Sequence, residues 1–340
     1  MPISTLRDEV QKTLVEFAWS QWAQMGLFAS ADRRDAWAQD PEALLVFTLH
    51  VARRESRLFD EVLDWLRLNG RLLSGRRLAS LCPQGDADRQ LVEAAVDWAR
   101  AQGSSVQIAD RHLTETGQEP LFARVRVAKP DEVFRSHGYL KPATEPSFNS
   151  REPDLRAPIN LAFRLRQHFG LASSRAEIVR FLLTSGVPDA NALAIADAAG
   201  YAKRNVNETL IALVASGDVQ RYMRGNEGRY SVDRARWADF LGVAPDELPT
   251  YRDWPRVLHA LREVDRWLDE SRLADLSDYM RASEARALME SLEPTLTAAG
   301  VLVSRDGAGA DYWPTFEQNI RRLLEKLAPA ARTSVESTTA

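Results

Sequence analysis

Between Arg175 and Asp233 three helical stretches and a hairpin follow one another with almost no linker, and few arrangements accommodate that succession. The first stretch, Arg175–Thr184, carries Ile178, Val179, Leu182 and Leu183 on one face. Ser185-Gly186-Val187-Pro188 breaks it. Asn191 is a suitable cap for the second, Ala192–Ala199, whose inner face is read as Leu193, Ile195 and Ala196. Gly200 supplies a turn that needs positive φ, and Ala196 is small where two helices must cross closely. The third, Lys203–Ser216, points Val206, Leu210, Leu213 and Val214 inward. Gly217 ends it. Asp218–Arg224 then alternates Val219, Arg221 and Met223 against Gln220, Tyr222 and Arg224, Gly225-Asn226-Glu227-Gly228 turns the chain, and Arg229–Asp233 returns.

Helix, helix, turn, helix and a two-stranded wing in that order resemble the bacterial winged helix-turn-helix regulators of the MarR and ArsR type. The resemblance covers this segment alone and rests on residue classes. It implies a transcriptional regulator that binds double-stranded DNA, with the third helix in the major groove and the wing on the backbone or in the minor groove. It also implies a homodimer reading two half-sites.

Charge agrees with a local rather than a general basic surface. The whole chain is acidic, at −4, which argues against indiscriminate coating of nucleic acid. Lys203–Trp237 nevertheless holds seven basic residues against Glu208, Asp218, Glu227 and Asp233, a balance of +3. Arg151–Gly186 has six arginines against three acids, again +3, and Asp189 and Asp197 lie between. The module thus carries +4 and the remainder −8. Lys203, Arg204, Asn205 and Asn207 occupy the first turns of the third helix, where arginine reads guanine and asparagine adenine. Arg221, Arg224 and Arg229 sit at the wing, suited to phosphate. Glu208 and Glu227 would face phosphate beside them, and they favour the alternative: a protein-interaction module, antitoxin-like or an adaptor subunit, that docks a protein partner through the same surface.

The expected class is therefore mainly α. Residues 1–112 read as a helical domain from the stripes Ala43, Leu44, Phe47, Val51; Leu58, Val62, Trp65, Leu66; and Leu91, Ala95, Trp98, Ala99, with Phe17, Trp19 and Trp22 in an earlier stretch. Residues 113–158 read as a connector, because six of the sixteen prolines fall between Pro120 and Pro158; one short strand is expected in Leu121–Val127. The winged helix-turn-helix domain spans 159–240. Residues 253–327 read as helices over Trp254–Ser271, Leu273–Met280, Ser283–Leu292 and Tyr312–Leu327. There Gly300–Tyr312 echoes Gly217–Tyr230, so a second, degenerate winged-helix unit is entertained. The tail 328–340 reads as disordered.

No phosphate-binding loop, dinucleotide fingerprint, nucleophile elbow or H-E-x-x-H motif occurs, so neither an enzyme nor a cofactor is expected. The histidines His50, His112, His137, His168 and His259 are scattered, and His50 and His259 read as half-buried polar residues. One cysteine, Cys82, excludes an intramolecular disulfide and a cysteine-rich zinc module. No apolar run is long enough to span a bilayer, and charges fall where a secretory h-region would lie, so the expected setting is the cytoplasm. Trp19, Trp22, Trp37, Trp254 and Trp267 are more tryptophan than small cores need; packing is the first account of them and a dimer interface the second.

Overall fold

The computed structural model describes residues 2–28, 36–108, 117–123, 125–170 and 173–328. The chain is mainly helical, 61% helix against 6% strand, with a small sheet. Helix α1 (Ile3–Gln24) buries Leu6, Val10, Leu14 and Phe17 at helical spacing. Helix α2 (Pro41–Val51) starts on a proline, with the Asp40 carboxylate accepting from Ala43 N at 3.1 Å, and every residue in it is buried. After α3 (Ser56–Asn69), helices α4 (Gly75–Leu81) and α5 (Arg89–Ala101) pack against α2, and α3 packs against α5.

The connector holds β1 (Glu119–Pro120), α6 (Glu132–Ser136) and β2 (Tyr139–Leu140), the two strands pairing in parallel. Among the described residues of Leu121–Val127 the expected strand does not form. Leu121 and Phe122 turn into the core instead, Val125 and Arg126 stay exposed with Val125 N donating to the Phe122 carbonyl at 3.3 Å, and Arg124 lies outside the described residues. The rest of the connector lies along α3, with Lys141 Nζ 2.7 Å from Asp60 and Asn69 donating to the Arg151 carbonyl at 2.9 Å.

Helices α7 (Leu161–Phe169), α8 (Ser174–Thr184), α9 (Ala192–Ala199), α10 (Lys203–Ala215) and α11 (Arg234–Leu241) accompany a three-stranded antiparallel sheet that packs on α9. Its strands β3 (Ala190–Asn191), β4 (Gln220–Arg224) and β5 (Glu227–Ser231) lie in the order β3-β5-β4, which leaves β4 exposed. This unit has its own apolar core, built on Leu165, Ile178, Val179, Ile195, Val206 and Leu210.

Helices α12 (Trp254–Leu268), α13 (Asp278–Ala298) and α14 (Trp313–Glu325) share one core with the N-terminal helices, Trp254 lying 5.4 Å from Phe17 and 5.3 Å from Trp37 by ring centroid. Trp22, Trp37, Trp254 and Trp267 are buried and Trp19 packs against the same core, so this large interior absorbs the tryptophans. Two differences from the sequence reading stand out. Residues 278–298 form one helix across the break expected after Met280, because Arg281-Ala282 offers no breaker; the helix starts instead at Ser277, whose Oγ accepts from Met280 N at 3.3 Å. The hairpin expected in Gly300–Tyr312 is absent. The Asn319 side-chain amide of α14 accepts from Ser304 N and donates to Ser304 O, both at 2.9 Å, taking the bonds a partner strand would make. The expectation for the tail lies outside the described residues from 329 onward, as does that for 113–116.

Candidate nucleic-acid interface

The surface picked out by sequence is built on α9 and α10. Asn191 Oδ1 accepts from Ala194 N at 2.8 Å and starts α9. Gly200 ends it at φ 69°, ψ 35°, in the left-handed region. Ala196 and Val206 are buried as the close crossing requires. Leu193, read as inward, is 60% exposed: Ile195, Ala196 and Ala199 take the core face, and Leu193 looks onto a groove of about 470 Å3 shared with Leu81, Lys203 and Arg256. The hairpin is tighter than the sequence indicates. Arg224 pairs with Glu227, leaving a two-residue loop, Gly225-Asn226.

Lys203, Arg204 and Asn207 are exposed on α10, and Asn205 is partly covered. Arg204, with 92% of its side chain exposed, pairs with Glu208 at 3.1 Å, one turn along. Arg221 and Arg224 are exposed, and neither they nor Lys203 makes an ion pair among the described residues. Arg229 is different. It is held by Asp189 at 2.5 Å and Glu227 at 3.1 Å. Tyr222 Oη also donates to Asp189, and these two hydrogen bonds hold the Asp189 carboxyl below its ordinary value. Arg229 therefore braces the hairpin against β3 rather than projecting freely. Arg234 and Arg236 donate to the Leu183 and Gly217 carbonyls, and so cap helix ends.

A second set of residues, missed by the sequence reading, fixes this unit to the helical body. Arg77, Arg166 and Arg180 meet Asp40, Glu42 and Glu177, and all six are buried. Arg166 donates to both Glu42 oxygens at 2.7 and 2.9 Å and to Glu177 at 2.6 Å. Arg180 reaches Glu177 at 2.9 Å and Asp40 at 3.1 Å, and Arg77 reaches Asp40. Burial opposes the charge on Arg166, but Glu42 and Glu177 outweigh it and raise its pKa. Burial likewise pushes Glu177 up, and Arg166, Arg180 and Arg77 hold it well below the carboxylate range. Arg77 also donates to the Ala199 carbonyl at the end of α9; a Cβ on Gly200 would lie 2.9 Å from its Nη1. At the surface Arg256 of α12 bonds Asp197 of α9 at 2.6 Å. Two of the module's arginines are thus spent inside. The signal was present in sequence as Glu177 and Arg180 sitting beside Ile178 and Val179 in an otherwise apolar stripe.

Elsewhere His50 is buried, with Nδ1 3.0 Å from Asp88 and Nε2 3.0 Å from Asp265. Burial lowers its pKa, but the two carboxylates prevail and the net shift is upward. Among the described residues no group of three or more His, Cys, Asp and Glu side chains is placed to hold a metal ion, and no helix is long and apolar enough to cross a membrane. No protein-family model matches the chain, and neither the curated proteins nor the solved structures compared with it include a match. What this surface does must be read from its own chemistry.

Proposed function

We propose that the unit running from α7 to α11 is a winged helix-turn-helix and that the protein is a DNA-binding transcriptional regulator. The observation that carries this reading is the set of cations left without an ion pair on α10 and the hairpin. Lys203 opens α10, and Arg221 and Arg224 stand on the hairpin, with no acid paired to any of them among the described residues. The element order, with α9, the Gly200 turn, α10 and then β4-β5, supports the same reading. Under it α10 enters the major groove, with Arg204 and Asn207 at base edges, while Arg221 and Arg224 contact phosphate. Arg229 acts through Asp189 to set the angle of the wing. A homodimer would present two such modules to two half-sites.

The test is the double variant Lys203→Ala/Arg204→Ala. Its affinity for duplexes enriched by the wild-type chain is expected to fall to that for random sequence, with the circular dichroism unchanged. Equal affinities in wild type and variant would remove α10 from the interface. One observation favours the second reading, docking of a protein: Met223 is 57% exposed on the hairpin of the same module. Flat anisotropy with duplexes and retention of a protein partner, lost in Met223→Ala, would favour it.

A further inference from the structure

The outer face of α10 carries one large apolar residue that the fold does not bury. Val206, Leu210 and Leu213 turn into the core, whereas Ile211 is 68% exposed. A β-branched side chain loses rotamer freedom in a helix, and here it recovers little through burial. Ile211 stands four residues after Asn207 and seven after Arg204, so the three share one strip of the helix surface. At about 1.5 Å of rise per residue the strip is roughly 10 Å long, about three base steps of 3.4 Å. Glu208 lies on the same strip, four residues after Arg204 and three before Ile211; apart from that carboxylate the chemistry is ordered: a guanidinium, then a carboxamide, then a branched alkyl group. Those are the partners of guanine, of adenine and of the thymine 5-methyl group in a major groove. The pair Arg204–Glu208 is no obstacle, since both side chains are mostly exposed, at 92% and 62%, and such pairs are weak.

We infer that Ile211 is a specificity-determining residue that packs against the 5-methyl group of a thymine, beside the bases met by Asn207 and Arg204. This rests on the DNA-binding reading above. Apolar contact with one methyl group adds discrimination without adding charge, so it leaves the salt dependence unchanged.

The experiment enriches duplexes from a random pool with the full chain, then replaces each thymine of the best duplex by uracil, which keeps base pairing and removes only the methyl group. One position is expected at which uracil weakens wild type about fourfold, the worth of one buried methyl, and leaves Ile211→Ala unchanged. The substitution lies on an exposed position, so the variant folds as the wild type does. Uracil effects that are equal in the two proteins at every position, or absent, overturn this inference alone. No enrichment of any duplex overturns it together with the DNA-binding reading. A changed solution mass in Ile211→Ala, with equal duplex affinities, assigns the residue to a protein contact and also overturns it.

Discussion

Replacing Arg166 by methionine removes one cation from a buried set of three guanidinium groups and three carboxylates. In the folded chain Arg166 holds both oxygens of Glu42, one oxygen of Glu177 and the Leu72 carbonyl at 2.8 Å. Methionine is apolar and of comparable length, so the cavity left is small, and the main cost is a buried excess negative charge. Breaking such a pair from one side costs about 3–5 kcal/mol, a large part of the roughly 5–15 kcal/mol that holds a domain together. The double variant Arg166→Met/Glu177→Met restores the balance. It leaves Asp40 with Arg77 and Arg180, and Glu42 with Arg77 and the Ser74 amide. The double is therefore expected to be more stable than Arg166→Met alone, although it has lost more contacts. Urea unfolding of the full chain, followed by tryptophan fluorescence and circular dichroism, measures all three proteins. A single variant within about 1 kcal/mol of wild type, or a double whose loss equals the sum of its two singles, refutes the reasoning. Such additivity would mean that the six charges do not act as one network.

Three further outcomes follow from particular groups. His50 has a folded pKa above its ordinary value, so its contribution is complete below about pH 6.5 and is lost as pH rises through the raised value; urea midpoints from about pH 6 to 9 should fall in wild type and fall less in His50→Gln. Gly200→Ala should lose about 1–2 kcal/mol from the left-handed backbone alone, and more because the new Cβ meets Arg77, which a thermal melt will register. Cys82 is fully buried and burial pushes its thiol up to about 12, so a disulfide reagent should label it only at the rate of unfolding; labelling within the mixing time would contradict that placement.

What could be read from sequence was local. The cap at Asn191, the left-handed turn at Gly200 and the ends of α9 are each determined by a few neighbouring residues, and the expected span Ala192–Ala199 is the one found. The hairpin was legible for the same reason, although its turn closes over Gly225-Asn226 alone and Glu227 and Gly228 belong to β5. The charge lock was not, because Asp40 and Arg180 are far apart in the chain and their pairing depends on how α2 and α8 pack. Counting Arg166, Arg180 and Arg229 as surface cations consequently overstated the basic face. The shared core was hidden likewise: the stripe on α12 announces an amphipathic helix, but not that α1 and α2 cover it. At Gly300–Tyr312 the local pattern misled, since Asn319 in the helix that directly follows satisfies the backbone that a second strand would have paired.

The most direct test of DNA binding is a salt titration of the full chain on a fluorescent duplex of random sequence, read by anisotropy. Three cations without an ion pair on α10 and the hairpin, Lys203, Arg221 and Arg224, predict that the logarithm of affinity falls against that of salt with a slope of about −3, and that Arg221→Ala/Arg224→Ala reduces its magnitude by about 2. No binding at micromolar protein in low salt, or a slope that the double variant leaves unchanged, would contradict the account.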